Sequence, residues 1–149
     1  MATRKSAVRK SVEVLLVEDN PGDIRLTQEA FTESEFPGRL HVVRDGEQAL
    51  AFLHQEGSYQ KSPRPTFVLL DLHLPRKSGA EVLAEIKGEK RLRKIPVFVL
   101  STSSRAEDIA QAYDLQANCY IPKPGDVEKL VQVARQIEAF WLGTAALAY

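Results

Sequence analysis

Five times along this chain a short apolar run is followed by a stretch with helical spacing, and this alternation limits the fold more than any other feature. VEVLLV (12–17), LHVV (40–43), TFVLL (66–70), PVFVL (96–100) and NCYI (118–121) read as strands. Their β-branched content and nearly continuous apolarity suit strands covered on both faces. The stretches GDIRLTQEAFTESEF, DGEQALAFLHQEG, SGAEVLAEIKGEK, SRAEDIAQAYDLQ and GDVEKLVQVARQIEAFW carry apolar residues three and four apart, as amphipathic helices do. Five such units without an internal repeat predict an α/β fold, a doubly wound five-stranded parallel sheet with right-handed crossovers and helices on both faces. In such sheets ligands sit outside the carboxyl ends of the strands.

Composition narrows the function. Twenty Lys plus Arg balance twenty Asp plus Glu in 149 residues, so no overall basic field holds a nucleic acid against salt. Cys119 is the single cysteine, which excludes an intrachain disulfide and a multi-cysteine metal site and agrees with a reducing compartment. No apolar run approaches the roughly 18 residues of a membrane span. The expected location is therefore cytoplasmic, with a basic solvated tail over 1–11, one domain over 12–141 and an apolar extension over 142–149.

Acids lie where the first and third runs end. Glu18 and Asp19 follow the first strand directly, and Asp71 follows the third. If those strands are neighbours, three carboxylates share one rim and repel unless a cation lies among them; an all-oxygen set of this kind suits Mg²⁺. Helix capping would be the simpler role for Glu18 and Asp19, yet Asn20 supplies the cap, Pro21 fits the first helical position, and Asp23 completes a box-like pattern near the positive helix end. After the fourth strand come Ser101 and Thr102, and Ser104 with Glu107 predicts a capping box for the next helix that leaves the Ser101 hydroxyl free. Pro122-Lys123-Pro124 holds a lysine beyond the fifth strand in a segment that cannot become helix. Pro122 also marks that strand as an edge.

VEDNPGD, LLDLHLPRKSG, VLSTS and IPKP together resemble the receiver domains of two-component response regulators, from about Val12 to Trp141. The resemblance implies a flavodoxin-like sheet of order 2-1-3-4-5. It also implies Asp71 as phosphoacceptor; Mg²⁺ held by Glu18, Asp19, Asp71 and the backbone carbonyl of His73; and phosphoryl contacts from Lys123, the Ser101 hydroxyl and the Thr102 backbone amide. Ser101 and Tyr120 would form the switch, and a histidine kinase would be the donor. His73 stands where many receivers have asparagine, and Ser101 where threonine is frequent. The Lys123–Pro124 bond is commonly cis in the family.

AFWLGTAALAY (139–149) has no charged side chain. The preceding helix carries two apolar stripes, Leu130, Val133, Ile137 and Phe140 beside Val127, Val131, Ala134 and Trp141. One stripe covers the sheet; the other, with the tail, predicts an exposed patch and a homodimer through Phe140, Trp141 and Leu142, the alternative being a tail folded back on its own domain. The extended LPRKSG region and the FWL ending are similar to single-domain regulators of bacterial phytochromes, which implies a phytochrome-type kinase. The rival readings are a non-phosphorylated binding module and an aspartyl-phosphate phosphohydrolase. The latter needs a second acid two residues beyond the nucleophile, where this chain has His73. His41, His54 and His73 share no metal-ligand spacing, Cys119 reads as a core residue, and no role is assigned to 57–65 or to the charge run 89–94.

Overall fold

All five expected strands form, and every pairing is parallel, in the order β2-β1-β3-β4-β5. The computed structural model describes residues 11–148, so residues 1–10 of the expected basic tail and Tyr149 lie outside the described residues. The elements are β1 (Val12–Val17), α1 (Pro21–Glu33), β2 (Gly38–Val43), α2 (Gly46–His54), β3 (Phe67–Leu70), α3 (Gly79–Gly88), β4 (Val97–Ser101), α4 (Ala106–Asp114), β5 (Cys119–Pro122) and α5 (Val127–Ile137). A 3₁₀ turn occupies Gly57–Tyr59 and a π-turn Glu138–Leu142. β5 is an edge, as Pro122 requires.

The period of two along each strand divides the core. Leu15, Val17, Val68, Leu70, Val97 and Val99 face Leu50, Leu53, Val82, Leu83 and Ile86 of α2 and α3, with Ala112 of α4. Val14, Leu16, Phe67, Leu69 and Phe98 face Phe31 of α1 and Ala134 and Ile137 of α5. β1, β3 and β4 are buried along their whole lengths. Each large apolar side chain among them contributes about 1.5–3 kcal/mol by leaving water, so the central strands are rigid mounts for whatever follows them.

Around the last two helices, sequence reasoning differs from the structure at three places. Ser104 and Glu107 do not make a capping box: α4 begins after Arg105 with no side-chain cap on that residue. Instead the Ser103 hydroxyl donates to Asp108 Oδ2 at 2.5 Å and accepts from the Arg105 amide at 3.2 Å. The last helix does not run to Trp141 but ends at Ile137 and gives way to the π-turn. Nor is its second stripe exposed, because Leu130 and Val131 pack with Ala30 and Leu100 while Val127 and Leu26 lie against them. The Trp141 ring sits 4.9 Å from Phe98, centroid to centroid, and Leu142 joins the same core. Phe140 remains 57% exposed. Leu147 and Ala148 reach the opposite pole of the sheet, beside Ser11, Glu13 and Thr66. The tail thus folds back along its own domain.

One glycine fixes the loop beyond β3. A Cβ on Gly79 would lie 2.3 Å from the Asp71 carbonyl oxygen and 2.5 Å from Leu72 Cα, so only glycine lets α3 start this close to the end of the central strand. The Gly79 amide donates to the Leu72 carbonyl at 3.0 Å and ties the two together.

Candidate functional site

Glu18, Asp71 and Lys123, each the first residue beyond its strand, are held by a last rung of the sheet ladder. The Glu18 amide donates to the Val43 carbonyl at 3.0 Å, that of Asp71 to Val17 at 3.0 Å, and that of Lys123 to Ser101 at 2.6 Å. These bonds are continuations of parallel pairing. They direct side chains from three strands into one place over the carboxyl rim.

Lys123 is the centre of the group. Its ammonium lies 2.7 Å from Glu18 Oε1, 3.0 Å from Asp23 Oδ2 and 3.8 Å from Asp71 Oδ2. The lysine side chain is 7% exposed, Glu18 3% and Asp71 9%. Glu18 Oε2 accepts from the Asn20 amide at 3.2 Å, and Asp71 Oδ1 from the His73 amide at 3.2 Å. Burial, with the Asp71 charge adding to it, lifts the Glu18 carboxyl to about 7 although Lys123 and the Asn20 amide pull the other way. Burial alone would lower Lys123, but the Glu18 hydrogen bond, Asp71 and Asp23 together hold it above the usual lysine value.

Glu18, Asp19 and Asp71 each offer a carboxylate oxygen, all within 4.8 Å of one another. Hard oxygen donors converging from two strand ends fit a divalent cation of the Mg²⁺ or Mn²⁺ type. Asp19 is exposed, Glu18 and Asp71 buried, so a cation there would meet solvent on one side and Asp71 on the other. The donor set therefore fits the implied metal.

Ser101 is fully buried, and its hydroxyl oxygen accepts from the Ser103 amide at 3.2 Å. It is therefore engaged on one side rather than free. Thr102 is exposed beside it. Tyr120 is 8% exposed, and its hydroxyl donates to the Ser103 carbonyl at 2.8 Å. Its amide donates to the Tyr113 hydroxyl at 3.0 Å. Ser103 thereby links Ser101 to Tyr120. The described peptide bonds are all trans, Lys123–Pro124 included.

From sequence alone Asp23 is only a helix-start acid. Its amide does donate to Asn20 Oδ1 at 3.0 Å. The carboxylate, however, goes to Lys123. The available signal is its place in the first turn of the helix that starts at the rim where β1 ends. Other polar clusters include Glu13 with Arg39 and His41, each at 2.7 Å, His54 with Glu89 at 2.8 Å, and Arg76 with Glu47 at 3.4 Å and Asp45 at 3.6 Å. No helix of the described residues is long and apolar enough to cross a membrane.

Comparison with known proteins bears on this geometry. A family model, "Response regulator receiver domain", matches residues 14–135. Response regulator Rcp1 of Synechocystis is 48% identical over 134 residues, 90% of this chain and 91% of that protein. The crystal structure of its Mn²⁺-bound form superposes with a TM-score of 0.83 at 46% identity, covering 93% of this chain and 99% of the other. The phosphorylated cyanobacterial phytochrome response regulator RcpA superposes with a TM-score of 0.87 at 51% identity, covering 94% and 100%.

Proposed function

This chain belongs to the response regulator receiver domain family, and from that premise we propose that Asp71 accepts a phosphoryl group from a histidine kinase, with Mg²⁺ as cofactor, in a cytoplasmic phosphorelay. The convergence of Lys123, Glu18 and Asp71 within 3.8 Å of one ammonium is the single observation that carries the reading. On this reading the metal would be held by Glu18, Asp19, Asp71 and the His73 carbonyl, and the phosphoryl oxygens by Lys123, the Ser101 hydroxyl and the Thr102 amide. A phytochrome-type kinase is the proposed donor, by likeness to RcpA.

The transfer balances simply. An Asp71 oxygen forms its bond to phosphorus as the phosphorus–nitrogen bond of a phosphohistidine breaks, and the imidazole nitrogen keeps the electron pair. A carboxylate attacking an anionic group meets like charge. Lys123 offsets that repulsion and holds the equatorial oxygens, while Gly79 and the β1 ladder keep Asp71 aimed. Mg²⁺ held by Glu18, Asp19 and Asp71 would supply further charge neutralisation. The new charge then draws the Ser101 hydroxyl inward. That motion pulls on Ser103, to which the Tyr120 hydroxyl is bonded, so the ring changes position with it. Shifting such an element from 1:99 to 99:1 takes about 5.5 kcal/mol, within reach of several charge-assisted bonds to a phosphate.

Intact-mass spectrometry after incubation with acetyl phosphate and Mg²⁺ tests the function. One stable phosphoryl group, mapped to Asp71, is the expected result. Rapid multiple turnover would favour a phosphohydrolase, and no modification would favour a binding module.

The Glu18 carboxyl adds a pH dependence. Raised to about 7 in the metal-free site, it is protonated below that pH and must release its proton to receive a cation. Mg²⁺ affinity is therefore level above about pH 8 and falls below pH 7 by up to about tenfold per unit. Titration calorimetry at pH 8 and pH 6 reads the difference; equal affinities would contradict it.

The domain assignment, 12–141 followed by an apolar extension, stands, and the homodimer is narrowed to a contact through Phe140, which is 57% exposed, since Trp141 and Leu142 pack in the core of their own domain. Light scattering should give twice the chain mass; a monomer both with and without beryllofluoride would remove the dimer from the account.

A further inference from the structure

Resting on the metal reading above, we propose that Asp23 is a positioning residue that keeps hold of Lys123 when a divalent cation takes Glu18. Both Glu18 oxygens already have a partner. Oε1 is 2.7 Å from the Lys123 ammonium and Oε2 accepts from the Asn20 amide. A cation arriving at this carboxylate repels the ammonium that stands 2.7 Å from it. Binding therefore loosens the hold of Glu18 on Lys123.

Its alternatives are few. The lysine side chain is 7% exposed, so retreat to water would pull the stem out of the fold. Asp71 Oδ2 lies 3.8 Å away, but Asp71 belongs to the same three-carboxylate set that would surround the cation. Among the described residues, Asp23 is the one carboxylate bonded to Lys123 that stands outside that set. It is 34% exposed, so its charge is partly paid for by water already. Its backbone is fixed at both groups: the amide donates to Asn20 Oδ1 at 3.0 Å, and the carbonyl accepts from the buried Thr27 hydroxyl at 2.9 Å.

The consequence is a transfer of partners. In the resting site Lys123 is shared by Glu18 and Asp23. With a cation on Glu18, Asp23 alone anchors one of the three ammonium donors, and the other two turn to Asp71 and the group arriving there. Without the Asp23 charge, the loosened ammonium competes with the cation for Asp71. Metal affinity and the readiness of Lys123 for phosphoryl contact are thus set by a residue that touches neither metal nor phosphate.

A double-mutant cycle on the full chain tests this by Mn²⁺ titration calorimetry. Asp23→Asn is expected to weaken Mn²⁺ binding about fivefold in the unaltered chain, and by less than about twofold in a Lys123→Met background. Asp23→Glu should restore most of the loss. Equal weakening in both backgrounds would overturn the proposal, since Asp23 would then act on the cation through space. No Mn²⁺ binding by the unaltered chain would instead overturn the metal reading on which it rests. A second readout is independent of how well Lys123→Met folds. In ¹⁵N-lysine spectra with Mg²⁺, the Lys123 ammonium stays protected from solvent exchange in the unaltered chain and loses protection in Asp23→Asn; protection that persists without Asp23 would also overturn it.

Discussion

Asp71→Asn is expected to abolish phosphoryl acceptance and leave the fold intact. The amide keeps the shape of the side chain, including an oxygen able to accept the His73 amide bond now made at 3.2 Å. It removes the nucleophile, and labelling by acetyl phosphate should fall by on the order of a thousandfold or more. Stability moves the other way or not at all. Asp71 contributes to the rise of the Glu18 carboxyl, so removing its charge relieves a like-charge contact among groups that are less than a tenth exposed. Thermal unfolding within a few degrees of the unaltered chain, combined with loss of labelling, is the expected pair of results. Labelling that survives on another residue would refute the assignment.

Lys123→Met reverses that pattern. The methionine fills the space of the stem but leaves Glu18, Asp23 and Asp71 facing one another with no cation among them. Removing one partner of a buried pair leaves an uncompensated charge and costs about 3 kcal/mol or more, which lowers the melting temperature by about 10 °C in a chain of this size. The sign of the pH dependence follows from Glu18. Its carboxyl is raised, and without Lys123 it rises further, so protonation relieves the strain at acidic pH and the loss is largest above pH 7. Added Mg²⁺ stabilises the variant more than the unaltered chain, because the cation then enters without repelling an ammonium. Melting curves at pH 8 with and without Mg²⁺ decide it. A variant that melts with the unaltered chain in both buffers would show that Lys123 is not the charge that balances the site.

What could be read from sequence was what local pattern controls. β1 spans Val12–Val17 as its six apolar-rich residues predict, and β3, β4 and β5 lie within a residue of their expected limits. Because the side chains of interest follow those strands directly, locating the strand ends located Glu18, Asp71 and Lys123 as well. The parallel order, read through family likeness, brings them to one rim. Sequence failed where the outcome depends on which element lies across from a given face. The Asp23 partner is 100 residues away, and its position in the first turn of α1 already had a sufficient local explanation. The second stripe of α5 looked unpartnered because α1, which carries Leu26 and Ala30 against it, was placed only by the tertiary fold. At the start of α4, Ser103 and Ser104 stand side by side, and pattern alone favoured the serine three residues before Glu107; the chain turned so that Ser103 reached Asp108 and the Arg105 amide instead.

The account depends on a divalent cation and the Lys123 ammonium flanking one Asp71 oxygen. A crystal structure with Mg²⁺ and beryllofluoride, a mimic of the phosphoryl group, measures this most directly. It should place the fluoride cluster on Asp71, Mg²⁺ among Asp19, Asp71 and the His73 carbonyl with Glu18 bound directly or through water, and Lys123 Nζ at hydrogen-bond distance, about 2.9 Å, from a fluoride. Lys123 still seated on Glu18, with the cation and the fluoride cluster bound away from Asp71, would contradict it.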